Sequence, residues 1–279
     1  YLDNLERQIS KSKKIGIKNV ADLVLRNNIF GVDINEESVE IAKLSLWLHT
    51  AEQGRKLVKL NDNIKCGNSL IDDVEVAGEK AFVWQKEFSH IFLETEKKGF
   101  DIVVGNPPYG AEMPKVAISY LIEKMKTQGL SKRMSDSYLA FYIQALSFLL
   151  KKEGFLGFIT PNTWRLTANG QDFRNYVLSE NFSFYCAVQH TEKVFPDATV
   201  AVDSIFLQKT KDKQFIDITI GDIRTENPYH HRLLQKDLCQ KDYINLYMTQ
   251  TMCDLKKKIA LNSFFVKDFY DIKNGVKPV

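Results

Sequence analysis

Along the chain, short apolar runs alternate with segments in which apolar residues recur every three or four positions. That alternation predicts strands interleaved with amphipathic helices. Ile29-Phe30-Gly31-Val32-Asp33 predicts a buried strand, and Asn35 is placed to cap a helix whose first turn holds Glu36 and Glu37, where the helix dipole favours negative charge. Val39, Ala42 and Leu46, with Leu44 and Leu48 beside them, carry that helix to about His49. Asn63 to Asn68 predicts a second short strand, and Phe100 to Gly105 the clearest one. Leu139, Ala140, Ile143, Leu146, Phe148, Leu149 and Leu150 define a helix from Ser137 to Lys152, capped by Asp136 and stopped by Gly154. A strand from Phe155 to Thr160 follows at once. A helix from about Gln171 to Leu178 and two β-rich runs, Phe184 to Gln189 and Val200 to Gln208, complete a doubly wound α/β sheet with a closing hairpin. Past Lys209 the pattern weakens.

Composition adds limits. With 279 residues, 44% of them hydrophobic and 26% charged, the chain can bury a large core. A net charge of only +3 excludes a polycation held to nucleic acid by bulk charge, so any such contact is local. Basic clusters stand at Lys11, Lys13 and Lys14, at Lys132 and Arg133, and at Lys256, Lys257 and Lys258. Such a cluster is more often simply a solvated face. Cys66, Cys186, Cys239 and Cys253 lack CxxC spacing, and His230 and His231 merely adjoin, so neither a disulfide framework nor a metal site is expected. No apolar run approaches the ~18 residues of a membrane span, and the N-terminus lacks signal-peptide order. A soluble, cytoplasmic protein with no membrane partner is expected.

The chemistry concentrates at Asn106-Pro107-Pro108-Tyr109, directly after the strand Phe100 to Gly105. Chance would place this tetrapeptide in such a chain roughly once in a thousand sequences. It also sits where open α/β sheets bind ligands, beyond the carboxyl end of a strand. The residue types suit an exocyclic amino group, whose lone pair is delocalised into its ring. Acceptors aimed at the two N–H bonds localise that pair on nitrogen. Asn106 Oδ1 is one acceptor, and the Pro107 carbonyl, held by successive prolines, is the other. Tyr109 offers an aromatic face to a base rotated out of a duplex.

These residues resemble the adenine-N6 amino-methyltransferases of restriction-modification systems, over about residues 1 to 208. The resemblance implies a Rossmann-like α/β sheet, S-adenosylmethionine as methyl donor, no metal, and double-stranded DNA as partner. It matches Asp33 and Ile34, after the strand ending at Gly31-Val32-Asp33, to the ribose of the donor. A carboxylate accepts hydrogen bonds from ribose hydroxyls whatever the family, though Asp33 also reads as an ordinary acid flanking a helix. Asn68 and Ser69 match the position facing the donor's adenine, where the family carries an acid. Asp72 and Asp73 are rivals for that role, or a solvated turn. Asn106 borders the donor as well, and Phe195 in Val194-Phe195-Pro196 matches the aromatic residue on the other side of the flipped base. Asp136-Ser137-Tyr138 and Gly157 to Asn162 match further motifs that read equally as core.

The family also uses a Gly-rich turn after its first strand, which these residues lack. The resemblance therefore predicts a piece of a longer enzyme, incomplete at its N-terminal side, with a helix from Tyr1 to about Ser10 following the missing turn. Loss of a central first strand would leave the second and fourth strands without their shared neighbour, and donor binding by the piece alone should be weak. The expected organisation is a partial catalytic domain at 1–208, a connecting region at 209–263, and at 264–279 the start of a target-recognition domain. Specificity or nuclease domains or subunits are the partners implied for the parent. Two other readings share the motif: a protein glutamine-N5 methyltransferase, and a non-catalytic DNA-binding or scaffold subunit with the same fold.

Overall fold

The computed structural model describes residues 20–50, 59–93, 98–110, 112–130, 136–179, 182–195, 200–210, 212–221, 227–240 and 243–261. The predicted helix at 1–10, the recognition segment at 264–279 and the basic clusters at Lys11–Lys14 and Lys132–Arg133 lie outside them. The chain divides into two compact units, Tyr1–Leu93 with Pro114–Leu121, and Glu94–Met113 with Ile122–Val279.

In the first unit, α1 (Val20–Asn27) leads to β1 (Gly31–Asp33), α2 (Glu36–Thr50) and β2 (Ile64–Cys66). β1 and β2 pair in parallel, with Asp33 opposite Cys66. Asn35 caps α2 as its sequence predicts, its Oδ1 accepting from the Ser38 N–H at 3.1 Å. Val39 and Leu46 turn toward a small core with Leu25, Leu60 and Ile64. Ala42, by contrast, is exposed, and Lys43 occupies the inward position one residue on. Asn63 is buried because its amide donates to the carbonyls of Leu25, Arg26 and Ile29 at 3.3, 2.8 and 3.0 Å, satisfying the end of α1.

The second unit begins with β3 (Phe100–Gly105); α3 (Lys115–Lys126) has its first turns in the other unit. Next come α4 (Ser137–Ile143), which widens into a π-helical stretch over Gln144–Leu149, and β4 (Leu150–Pro161). A single turn, Thr163–Leu166, precedes α5 (Gln171–Val177), β5 (Ser183–Gln189), β6 (Val202–Gln208), β7 (Phe215–Ile220) and β8 (Tyr229–Leu234). The two-residue strands β9 (Cys239–Gln240) and β10 (Tyr243–Ile244) and the helix α6 (Gln250–Leu261) close the described chain.

The main sheet has the order β3-β4-β6-β5-β7-β8. β3/β4 and β5/β7 are parallel and the other three pairs antiparallel. The closing hairpin is β5–β6, with β6 inserted beside β4. Leu156, Phe158, Ile205, Leu207, Ile216 and Ile218 face a continuous core shared with Tyr142 and Leu146 of the preceding helix and Phe173 of α5. Each such side chain stabilises by roughly 1.5–3 kcal/mol when fully buried.

Two expectations are corrected. The helix from Ser137 ends at Leu149, not Lys152, and the strand starts at Leu150. A residue distant in sequence sits at this junction: the Lys209 ammonium donates to the carbonyl of Leu150 (2.8 Å), the first residue of the strand, and to that of Ser147 (3.5 Å) in the helix's last turn. Gly154 is not a helix stop but lies in an irregularity of β4. Glu153 has φ 65°, the register with β3 shifts between Phe100 and Ile102, and a Cβ at Gly154 would lie 3.0 Å from the Phe100 carbonyl oxygen. Asp136 does occupy the cap position, but its side chain makes no capping bond. Within the region read from sequence as connecting, β7 and β8 continue the main sheet. Among the described strands β3 pairs with β4 alone, and its other edge is open with Ile102 63% and Val104 74% exposed.

Candidate functional site

At the carboxyl end of β3 the chain passes through Gly105, where a Cβ would press 3.0 Å from the Phe158 ring, into Asn106. Asn106 is exposed, Pro107 buried, Pro108 exposed and Tyr109 half-buried. The Tyr109 hydroxyl donates to Asn106 Oδ1 at 2.7 Å and also lies 3.3 Å from the Ile159 carbonyl. Burial pushes the Tyr109 phenol above its ordinary value, so it is a protonated donor at neutral pH. This contact turns the oxygen of the Asn106 amide toward the phenol. A carbonyl oxygen has two lone pairs, and the second is left for another donor.

The loop is held from behind. Buried Ser137, at the start of α4, donates its hydroxyl to the Pro108 carbonyl at 3.0 Å. Tyr138 and Tyr142 on the same helix meet Thr163 and Thr160 beyond and within β4, each at 3.0 Å. Burial pushes the Tyr138 phenol up to about 12. Phe195 lies with its ring centroid 6.5 Å from that of Tyr109, at 60°. The structure thus brings together Asn106, Pro107, Pro108, Tyr109 and Phe195, all in the second unit.

Asp33, Ile34, Asn68 and Ser69 gather in the first unit, at the carboxyl ends of β1 and β2. The Gly67 N–H donates to the Asp33 carbonyl at 2.8 Å, and Gly67 is required there because a Cβ would come 2.4 Å from the Phe82 ring. Asp33 is exposed, with Oδ1 accepting from the Asn35 N–H at 2.8 Å. Asn68 Oδ1 accepts from the Leu70 N–H at 3.1 Å, so its amide oxygen serves the turn while its NH2 group is a donor. The Ile34 carbonyl accepts from the Cys66 thiol (3.6 Å), and the Ser69 carbonyl from the Trp84 indole (2.9 Å). The rival acids have other work: Asp72 accepts from the Tyr120 hydroxyl, and Asp73 caps the turn Val74–Ala77.

Sequence reasoning missed the Ser137 contact and a buried cluster at Arg165. The Arg165 Nε donates to Asp203 Oδ2 at 2.5 Å, Nη1 to the Ile244 carbonyl at 2.7 Å, and Nη2 to Gln189 Oε1 at 3.2 Å. Burial pushes the Asp203 carboxyl upward and the adjacent guanidinium pulls it back. The partners lie 24 to 79 positions from Arg165, so no local spacing announces them. Among the described residues no cluster of His, Cys, Asp and Glu is placed to hold a metal, and no helix is long and apolar enough to cross a membrane.

The class these features define is the restriction-modification methylases. The profile of the Eco57I restriction-modification methylases matches residues 27–195, more than half of the chain. More particularly, then, the chain belongs to the Eco57I restriction-modification methylase family. It is 28% identical over 214 residues to the type II restriction enzyme and methyltransferase RM.Eco57I of Escherichia coli, covering 72% of this chain and 21% of that protein. It is 25% identical over 188 residues to the type I restriction enzyme MpnII methylase subunit of Mycoplasma pneumoniae, covering 66% of this chain and 31% of the subunit. The chain therefore spans between a fifth and a third of these relatives. Its fold resembles a modification subunit of a putative type I restriction enzyme from Vibrio vulnificus YJ016 (TM-score 0.50, 17% identity, 91% of this chain and 45% of that one). It also resembles the ATP-dependent Type ISP restriction-modification enzyme LlaBIII bound to DNA (TM-score 0.52, 17% identity, 78% of this chain and 16% of that one).

Proposed function

We propose that the chain is the catalytic part of a DNA methyltransferase that transfers the methyl group of S-adenosylmethionine to N6 of an adenine turned out of the duplex. The observation that carries the reading is the oriented Asn106 amide at the carboxyl end of β3, its oxygen held by the Tyr109 hydroxyl at 2.7 Å. An amino nitrogen presented there gives one N–H to Asn106 Oδ1 and the other to the Pro107 carbonyl, which localises its lone pair for attack. Ser137 and Ile159 keep the loop's carbonyl and phenol in place, and positioning of this kind is a large share of such catalysis. Tyr109 offers a face on which the base stacks, worth about 1–3 kcal/mol against the cost of unstacking, and Phe195, edge-on to Tyr109 at 60°, turns to cover the other face when the base enters.

The residues at the ends of β1 and β2 fit the donor. Asp33 has a carboxylate oxygen beyond the one used by Asn35 for ribose hydroxyls, exposed Ile34 offers an apolar contact, and the Asn68 NH2 and Ser69 hydroxyl are polar groups suited to an adenine. When bound, S-adenosylmethionine supplies an electrophilic methyl group. The nitrogen loses its proton after transfer, when it has become cationic, so no residue needs a shifted pKa to begin. The parallel pairs β1–β2 and β3–β4 support a Rossmann-like fold in a protein that works in the cytoplasm, with specificity or nuclease domains or subunits as its partners. The test is nucleoside mass spectrometry after incubating the full-length parent with the donor and with DNA or protein. N6-methyladenine in DNA is expected; N5-methylglutamine in protein, or no product, would overturn the reading.

A further inference from the structure

Gln189 and Asp203 are cross-strand partners at the mouth of the β5–β6 hairpin, the last registered pair before the segment that carries Phe195. Arg165 reaches both at once, with Nε on Asp203 and Nη2 on Gln189. Arg165 is 1% exposed and Asp203 0%, so the ion pair is shielded from water, while the bond to half-buried Gln189 lies nearer the surface. The turn holding Arg165 follows β4 directly, and the Asn162 N–H donates to the Ala201 carbonyl at 3.1 Å, on the returning arm of the same segment. On the first arm, the His190 imidazole meets the Ser204 hydroxyl at 2.9 Å. β4 also supplies the Ile159 carbonyl that faces the Tyr109 hydroxyl. Phe195 and Tyr109 are thus both referred to the carboxyl end of β4, one through the Arg165 fork and one through the backbone.

We propose that Arg165 is a positioning residue that clamps the two feet of the β5–β6 hairpin and so fixes Phe195 beside Tyr109, edge to face, setting the geometry in which the pair meets the base. A planar fork suits the task because its donors lie in fixed directions, whereas an ammonium is a point charge. The inference rests on the reading of Tyr109 and Phe195 as the two walls of the base site. Plain removal of Arg165 would leave the Asp203 carboxylate buried without a counter-charge and would report on folding. Gln189→Leu instead removes one prong and leaves the ion pair intact.

The experiment uses the full-length parent, with its modified site first mapped by sequencing and 2-aminopurine then placed at the target adenine. For Gln189→Leu we expect kcat to fall about 10-fold, in line with the cost of a displaced positioning group. KM for donor and DNA should stay within about twofold, and the 2-aminopurine signal should change in parallel with kcat. Phe195→Ala should produce the same pattern, and the double variant should lose little more than either single one, because both act through one contact. Arg165→Lys, which keeps the charge but not the fork, should fall at least as far as Gln189→Leu while remaining folded. A Gln189→Leu enzyme with wild-type kcat and fluorescence, or a double variant whose losses multiply, would overturn the clamp. A wild-type parent that methylates no adenine would instead overturn the underlying reading.

Discussion

The two groups of site residues rest on very different foundations. Asn106 to Tyr109 and Phe195 stand on a six-stranded sheet whose inner face is a continuous core, with buried hydroxyls and an arginine fork behind the loop. Asp33, Ile34, Asn68 and Ser69 stand on two strands of three residues each, over a small cluster of Leu25, Val39, Leu60 and Ile64 and beside a separate aromatic group of Phe82, Trp84 and Phe88. The helix between those strands leaves Ile41, Leu44 and Leu48 largely exposed. The residues proposed to handle the base are therefore consolidated by a large continuous core, while those proposed to hold the donor rest on short strands, the turn at Asn68, the Asn35 cap, and single contacts from Gly67, Cys66 and Trp84.

Substitutions can break or sharpen this contrast. The largest effect is expected from Ile205→Ala in the central strand of the main sheet, which should cost about 2–5 kcal/mol in denaturant unfolding. A loss well under that would mean the sheet is less consolidated than its burial indicates. Asn106→Ala removes an exposed acceptor and should lower methylation by the parent about 10²–10³-fold without moving its melting temperature; unchanged turnover would remove Asn106 from the mechanism. Asp33→Ala should weaken donor binding in calorimetry about 10-fold, the worth of a hydrogen bond to a charged group, with DNA affinity unaltered. Loss of DNA affinity instead would move Asp33 out of the donor site.

The smallest effect comes from Asp237, which receives Lys257 at 2.5 Å and the Gln250 amide at 2.8 Å. Burial pushes its carboxyl up, but these partners outweigh burial and hold it below the usual range. A depressed folded pKa stabilises above the unfolded value of about 3.9 and is lost as pH falls through the folded one. Asp237→Asn should therefore lower the melting temperature by about 1–3 °C at pH 7, and the gap should close toward pH 3. A gap that widens in acid would reverse the assignment.

What was legible in the sequence was what chemistry makes local. Asn106 to Tyr109 are contiguous, the Asn35 cap acts three residues on, and β3 carries Phe100, Ile102, Val103 and Val104, all of strand-forming type. The end of the helix after Ser137 is not marked by local spacing: the strand begins at Leu150, beside a Lys209 ammonium about 60 positions away. β7 does alternate, with Ile216, Ile218 and Ile220 inward, but β8 beside it is Tyr229-His230-His231-Arg232, which no apolar pattern marks. The fork at Arg165 was invisible for the same reason: its partners share a face only after the sheet has formed.

The open edge of β3 has a bearing on how the chain behaves in solution. Among the described strands none pairs with it, and exposed Ile102 and Val104 lie on the face beside it, with Asp101 the one charge along the strand. Such an edge is a template for further strands. Prepared by itself and concentrated, the chain should self-associate edge to edge, and a charged side chain at Val104 should improve its solubility.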